Sequence, residues 1–193
     1  MCIRDRVTKD HKFLTPNGWK CVAELTPKDK VKIVYNMPEN YGICFDEDRA
    51  EWLGYWVGDG SISISNHVNL FVGSDDILAN HFLSLTQQIA GRCSLIKREN
   101  QLVLDVHKKE FAEWVRNVNE IKIASKSEEK KVPSLILRAY PKAQRRFLRG
   151  IFSADGSVYD ANGTPTISLS SCSKKLLQEI QLMLLSQGIP STL

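Results

Sequence analysis

Two stretches of this chain end alike. Residues 52–61 read WLGYWVGDGS, and residues 147–157 read FLRGIFSADGS. Aligned on Asp59 and Asp155, which lie 96 residues apart, Gly54 matches Gly150 and Gly58 matches Ala154, and a Gly-Ser pair follows each aspartate. Each stretch carries the apolar run of a helix, and small residues four apart share one helix face. Such a face lets two backbones approach closely. The repeat therefore predicts two helices packed side by side and pointing the same way, with both aspartates at adjoining C-terminal ends.

That placement needs compensation. A helix C-terminus carries partial negative charge. Two carboxylates roughly 5 Å apart, at an effective dielectric of about 20, repel by on the order of 3 kcal/mol. A cation must offset this, or one group must hold a proton. Carboxylates and backbone carbonyls are hard oxygen ligands that suit Mg2+. Divalent ions held by two carboxylates suit in-line phosphodiester hydrolysis, because they stabilise the attacking and leaving oxygens. A single Asp-Gly is a common turn pair. Its recurrence, each time after a small-xxx-small helix and before a strand, favours the metal reading.

The surrounding pattern repeats as well. Residues 48–119 read helix, two strands, helix, two strands, helix. Asp46, Glu47 and Asp48 stand at the first helix start, Ser74 caps the second helix and Gly91 stops it. After a basic linker the order restarts with KAQRRFLRGIFSADG, SVYD, TPTISLS and SKKLLQEIQLMLLSQG, ended by Gly188. The second copy is expected to lack its last hairpin and helix. Residues 7–35 read as short strands, VTKDHKFLT, WKCVAEL and KVKIV, around a PNG turn. Residues 1–6, MCIRDR, fit nothing around them and are set aside as a sequence scar.

Composition narrows the class. Residues 122–149 hold nine Lys/Arg against two Glu, a net of +7, whereas the whole chain carries +4. A concentrated basic segment points to a polyanion partner. The five cysteines are odd in number and form no CxxC pair, which suggests neither a zinc site nor a disulfide framework. No apolar run is long enough to span a membrane, and the charged start is no signal peptide. An intracellular, cytoplasmic protein is the expectation.

The twin motifs resemble those of the LAGLIDADG homing endonucleases carried inside inteins, over most of residues 49–193. The resemblance implies an α+β fold of two pseudo-symmetric αββαββα half-domains, the second truncated. Its boundaries here are 49–120 and 141–193, with a basic linker at 121–140 and a connector at 36–48. It also implies double-stranded DNA as partner, a single chain supplying both halves, and Mg2+ as cofactor. By carry-over, Asp59 and Asp155 are catalytic and bind metal, with Gly58 and Ala154 beside them as metal ligands. The first motif departs from the common form at Trp52, Tyr55 and Trp56, expected on its outward face. EKKVPSLI is similar to the Lys-x-Ile/Val-Pro segment of this family, which implies Lys130 as a catalytic-pocket lysine and Lys131 as its nearest rival.

Upstream, VTKDHKFLTPNGWKCVAELTPKDKV resembles the intein splicing motif that holds Thr-x-x-His, here Thr8 and His11. The resemblance implies that residues 7–35 are a fragment of an all-β Hint domain. Lys28 stands where the family usually has Gly-Asp. The opening nucleophile and terminal His-Asn of a complete intein are missing, so the chain reads as the middle of one. In the saddle that the family forms on DNA, Ser61, Ser63, Ser65, Asn66, His67 and Asn69 are candidates on the first strand pair. Lys97, Arg98, Asn100 and Gln101 are candidates on the second. The alternative is a non-catalytic nucleic-acid-binding protein on the same scaffold, a regulator or RNA maturase. A third reading is a Hint-type autoprocessing module with no DNA role.

Overall fold

The computed structural model describes residues 7–33, 38–73, 76–98, 101–120 and 127–193. The scar at 1–6, the Ser74 cap, Asn100 and linker residues 121–126 lie outside the described residues.

An N-terminal hairpin pairs β1 (Lys12–Thr15) with β2 (Gly18–Cys21), antiparallel. In the described part of the expected third strand, one backbone bond to β1 is made, Lys32 N to Leu14 O at 2.7 Å, within irregular backbone. β-branched residues alone do not make a strand there, because propensity needs a paired neighbour to act through.

Helix α1 (Glu47–Asp59) begins as its sequence requires. The Asp46 side chain accepts from Arg49 N at 2.8 Å, and Glu47 and Asp48 sit in the first turn against the helix dipole. Every residue from Ala50 to Gly58 is buried. Such a helix lies between layers. On one side runs α5 (Pro141–Asp155). On the other lie α2 (Asp76–Ala90), α3 (Lys109–Asn119) and a four-stranded sheet. The outward face expected for Trp52, Tyr55 and Trp56 does not exist. Trp52 is fully buried, its Nε1 donates to Thr86 Oγ1 at 3.0 Å, and its ring meets Phe111 edge-on. Trp56 stacks on Trp52, and the Tyr55 hydroxyl donates to Phe71 O at 3.1 Å. These aromatics fill the core beneath the sheet.

The sheet contains β3 (Gly60–Ile62), β4 (His67–Phe71), β5 (Ser94–Arg98) and β6 (Gln101–His107), in antiparallel order β3-β4-β6-β5. Alternation assigns its faces. Val68, Leu70, Leu104 and Val106 are buried against the helices, while His67, Asn69, Asp105 and His107 occupy the open face. The β3–β4 turn is clamped from α3: Arg116 donates to Asn66 Oδ1 at 2.9 Å and to Ser63 O at 2.8 Å.

The expected linker is structured where it is described. Val132 and Ile136 are buried, and a short helix, α4 (Ser134–Leu137), follows Pro133. After α5 come the hairpin of β7 (Gly156–Asp160) and β8 (Pro165–Leu169) and helix α6 (Lys174–Ser186). Val158 and Ile167 are directly paired in that hairpin, and both are exposed.

Candidate catalytic centre at the paired helix ends

Glycine brings α1 and α5 together. A Cβ on Gly54 would overlap the Phe147 carbonyl, and a Cβ on Gly150 would overlap the Glu51 carbonyl. One turn further on, a Cβ on Gly58 would lie 2.5 Å from Ala154 Cβ and 3.2 Å from Asp155 Oδ2. The contacts advance in the same direction along both helices, so the helices run parallel and end together. Asp59 and Asp155 are the last residues of each.

Both aspartates are half-buried. Burial pushes the Asp59 carboxyl above its ordinary value, the nearby Asp155 charge pushes the same way, and Lys130 opposes both. Burial likewise raises Asp155 against the pull of Lys130. Burial and the two aspartates together raise the Tyr55 phenol, which stays a neutral donor.

Lys130 supplies the cation that the helix ends require. Its Nζ donates to Gly58 O at 2.5 Å, on the last turn of α1. Lys131 turns elsewhere and pairs with Glu120, which also accepts from Ser134 Oγ. Spacing leaves these two lysines as rivals; the structure brings only Lys130 to the aspartates. The Gly58 carbonyl, expected to face metal, therefore already accepts from lysine, with a second lone pair to spare.

The donor set is all oxygen: two carboxylates and helix-end carbonyls. Among the described residues no three His, Cys, Asp or Glu side chains converge as a metal site. A hard divalent cation fits such a sparse set, since it keeps waters and uses substrate phosphate oxygens to fill its shell.

A pH prediction follows from the raised carboxyls. Their folded-state values lie above the ordinary 3.8, so the folded chain binds more protons than the unfolded one. Their contribution is fully present below 3.8 and is lost as pH rises through the folded values. Asp59→Asn should therefore make the chelator-treated protein more stable at pH 7.5, and the gain should vanish at pH 3. Urea denaturation of both proteins at the two pH values measures this. A destabilised variant at pH 7.5 would contradict it.

The remaining sequence candidates are spread more widely. Ser61, His67, Asn69, Arg98 and Gln101 share the open face of the sheet through their cross-strand register. Lys97 does not: it opposes Leu102 and lies on the helix-facing side. Lys97 and Arg98 are adjacent on one strand, and adjacent strand residues cannot share a face. Ser63 is used within the turn, accepting from His67 N at 3.1 Å and lying 3.0 Å from Ser65 Oγ. His67 Nδ1 lies 3.0 Å from Asp105 Oδ2, and its ring stacks on His107 at 4.2 Å. Thr8 and His11 flank a turn in which His11 N donates to Thr8 O at 3.2 Å.

Sequence reading missed Glu51. It is 2 % exposed on α1, and it meets His81 Nε2 at 2.7 Å, Arg146 Nη1 at 3.0 Å and Arg149 Nε at 3.2 Å. A signal existed, because residue 51 aligns with Phe147 in the second copy. A lone glutamate in an apolar motif needs a partner.

Residues 142–193 match the family model of a LAGLIDADG-like domain. The mixed α+β fold is that of the homing endonuclease I-DmoI. Its mesophilic variants superpose with a TM-score of 0.57 at 18% identity, covering 76% of this chain and 76% of theirs. I-DmoI in complex with DNA and Ca gives the same TM-score and identity over 76% of this chain and 74% of that one. Among curated relatives, the replicative DNA helicase DnaB of Rhodothermus marinus is 29% identical over 97% of this chain. The replication factor C small subunit of Methanocaldococcus jannaschii is 28% identical over 95%, and a DNA gyrase polypeptide of Mycolicibacterium flavescens is 29% identical over 90%. The chain spans only 21%, 10% and 32% of these three proteins. Among the described residues, no helix is long and apolar enough to cross a membrane.

Proposed function

We propose that this chain is the endonuclease portion of an intein, a homing endonuclease that hydrolyses phosphodiesters in double-stranded DNA with a divalent metal, Mg2+ in the cell. One observation carries the reading: two half-buried aspartates end parallel, glycine-packed helices beside a lysine. In this reading Asp59 and Asp155 hold the metal, with the Gly58 and Ala154 carbonyls nearby. When bound, the metal supplies positive charge to the attacking and leaving oxygens. Lys130 has three N–H donors and spends one on Gly58 O. The other two can meet a phosphate oxygen and stabilise the charge that develops there. The α1–α5 seam is the axis of two half-domains in one chain, so a monomer suffices. The open sheet face, with Ser61, His67, Asn69, Arg98 and Gln101, lies on DNA, while the turn residues Ser63 and Ser65 stand at its margin.

The intein part of the reading draws on two supports. Thr8 and His11 stand in the sequence pattern of a splicing motif. Nearly the whole chain also aligns with small portions of three differently named proteins, as an element inserted into unrelated hosts would. A cytoplasmic location belongs to the same reading.

The test is a cleavage selection. Incubated with a randomised duplex library and Mg2+, the chain should release fragments whose ends share one sequence, and EDTA should prevent it. Enrichment of bound but uncut duplexes would instead establish a binding protein without nuclease activity.

A further inference from the structure

We propose that Ser173 is a positioning residue for Lys130, so that the cap of α6 sets the site lysine against the end of α1. The inference rests on Lys130 belonging to the catalytic centre, but the contacts stand independently of it. Ser173 is fully buried. Its Oγ accepts from Leu176 N at 3.2 Å, which caps α6, and donates to Lys130 O at 2.6 Å. A hydroxyl has one proton. Ser173 gives that proton to the lysine's own backbone, although an N-cap needs only the acceptor.

A second contact from α6 holds the same segment. Glu179 Oε2 accepts from Val132 N at 2.8 Å, and Val132 is buried. Lys130 is thus tied at both ends. Its carbonyl and the amide two residues on are held by α6, and its ammonium reaches the last turn of α1. The lysine lies on a segment without regular structure. Without these bonds such a segment would spread the ammonium over many positions, and a site group must be held to within about 0.5 Å to act. Any loosening of α6 therefore withdraws the lysine from Asp59 and Asp155.

The experiment reads the lysine directly. The full chain is treated briefly with an amine-acetylating reagent, and mass spectrometry compares labelling at Lys130 with labelling at exposed Lys142. In the unaltered chain Lys130 should be the slower of the two. Ser173→Ala should raise relative labelling of Lys130 roughly fivefold, the population change expected from one lost hydrogen bond. Ser173→Thr keeps both bonds and should restore the slow rate. Glu179→Ala leaves the cap intact and should expose Lys130 likewise, and it decides the matter if Ser173→Ala does not fold. A lower melting temperature with unchanged Lys130 labelling in these variants would overturn the proposal and leave Ser173 a simple cap. Absence of DNA cleavage would leave the labelling result untouched, so the two readings fail separately.

Discussion

Replacing Asp59 and Asp155 together by asparagine should lower metal-dependent DNA cleavage by about 1,000-fold or more, roughly 4 kcal/mol of transition-state stabilisation. Asparagine keeps the shape of the side chain and removes its charge. Both groups end helices whose carbonyls already make the site negative, and the charge they contribute is the part that a metal can bind most strongly. Duplex binding should persist or tighten, because two negative charges facing phosphate disappear. Cleavage and mobility-shift assays on the selected sequence separate the outcomes. Undiminished cutting by the double variant would remove both residues from the mechanism.

The second large effect concerns the seam between α1 and α5. In Gly150→Ala the new methyl meets the Glu51 carbonyl and lies 2.8 Å from Tyr55 N. Backbone on a packed helix cannot rotate away as a side chain can, so the helices must separate along their length. The expected loss is about 3 kcal/mol or more, a fall in melting temperature of roughly 6 to 12 °C for a chain of this size. Ser153→Ala, on the exposed side of the same helix, should change stability by less than about 0.5 kcal/mol. Equal melting temperatures for the two variants would mean that the glycine contact has slack.

Much of this was legible from residue order. Helix periodicity, the Asp46 cap and the small residues at 54, 58, 150 and 154 are local signals, and they predicted the paired helices. What stayed hidden depends on partners distant in sequence. Trp52, Tyr55 and Trp56 lie on a stretch of helix that is buried all round, so local spacing does not say which side faces what. The face of Lys97 follows from register with β6, which spacing alone does not fix. Lys130 and Lys131 are neighbours of equal chemistry, and contacts distant in sequence sort them, Glu120 for Lys131 and Gly58 O for Lys130. Ser173 announces a helix start, but its second hydrogen bond spans 43 residues and leaves no local trace. Residues 31–35 carry strand-forming side chains, and the described part makes a single backbone bond to β1 without becoming a strand.

The charged cluster at Glu51 bears on inheritance. The two motif helices are alike in their small residues, yet position 51 meets guanidinium groups at 146 and 149 across the seam. A shuffled gene that took its second half from a cousin with apolar residues there would leave the buried carboxylate with His81 alone, at a loss of about 1 to 3 kcal/mol. Drift on one side must be answered on the other. A crossover between the two motifs should therefore keep full stability only where positions 51, 146 and 149 still match.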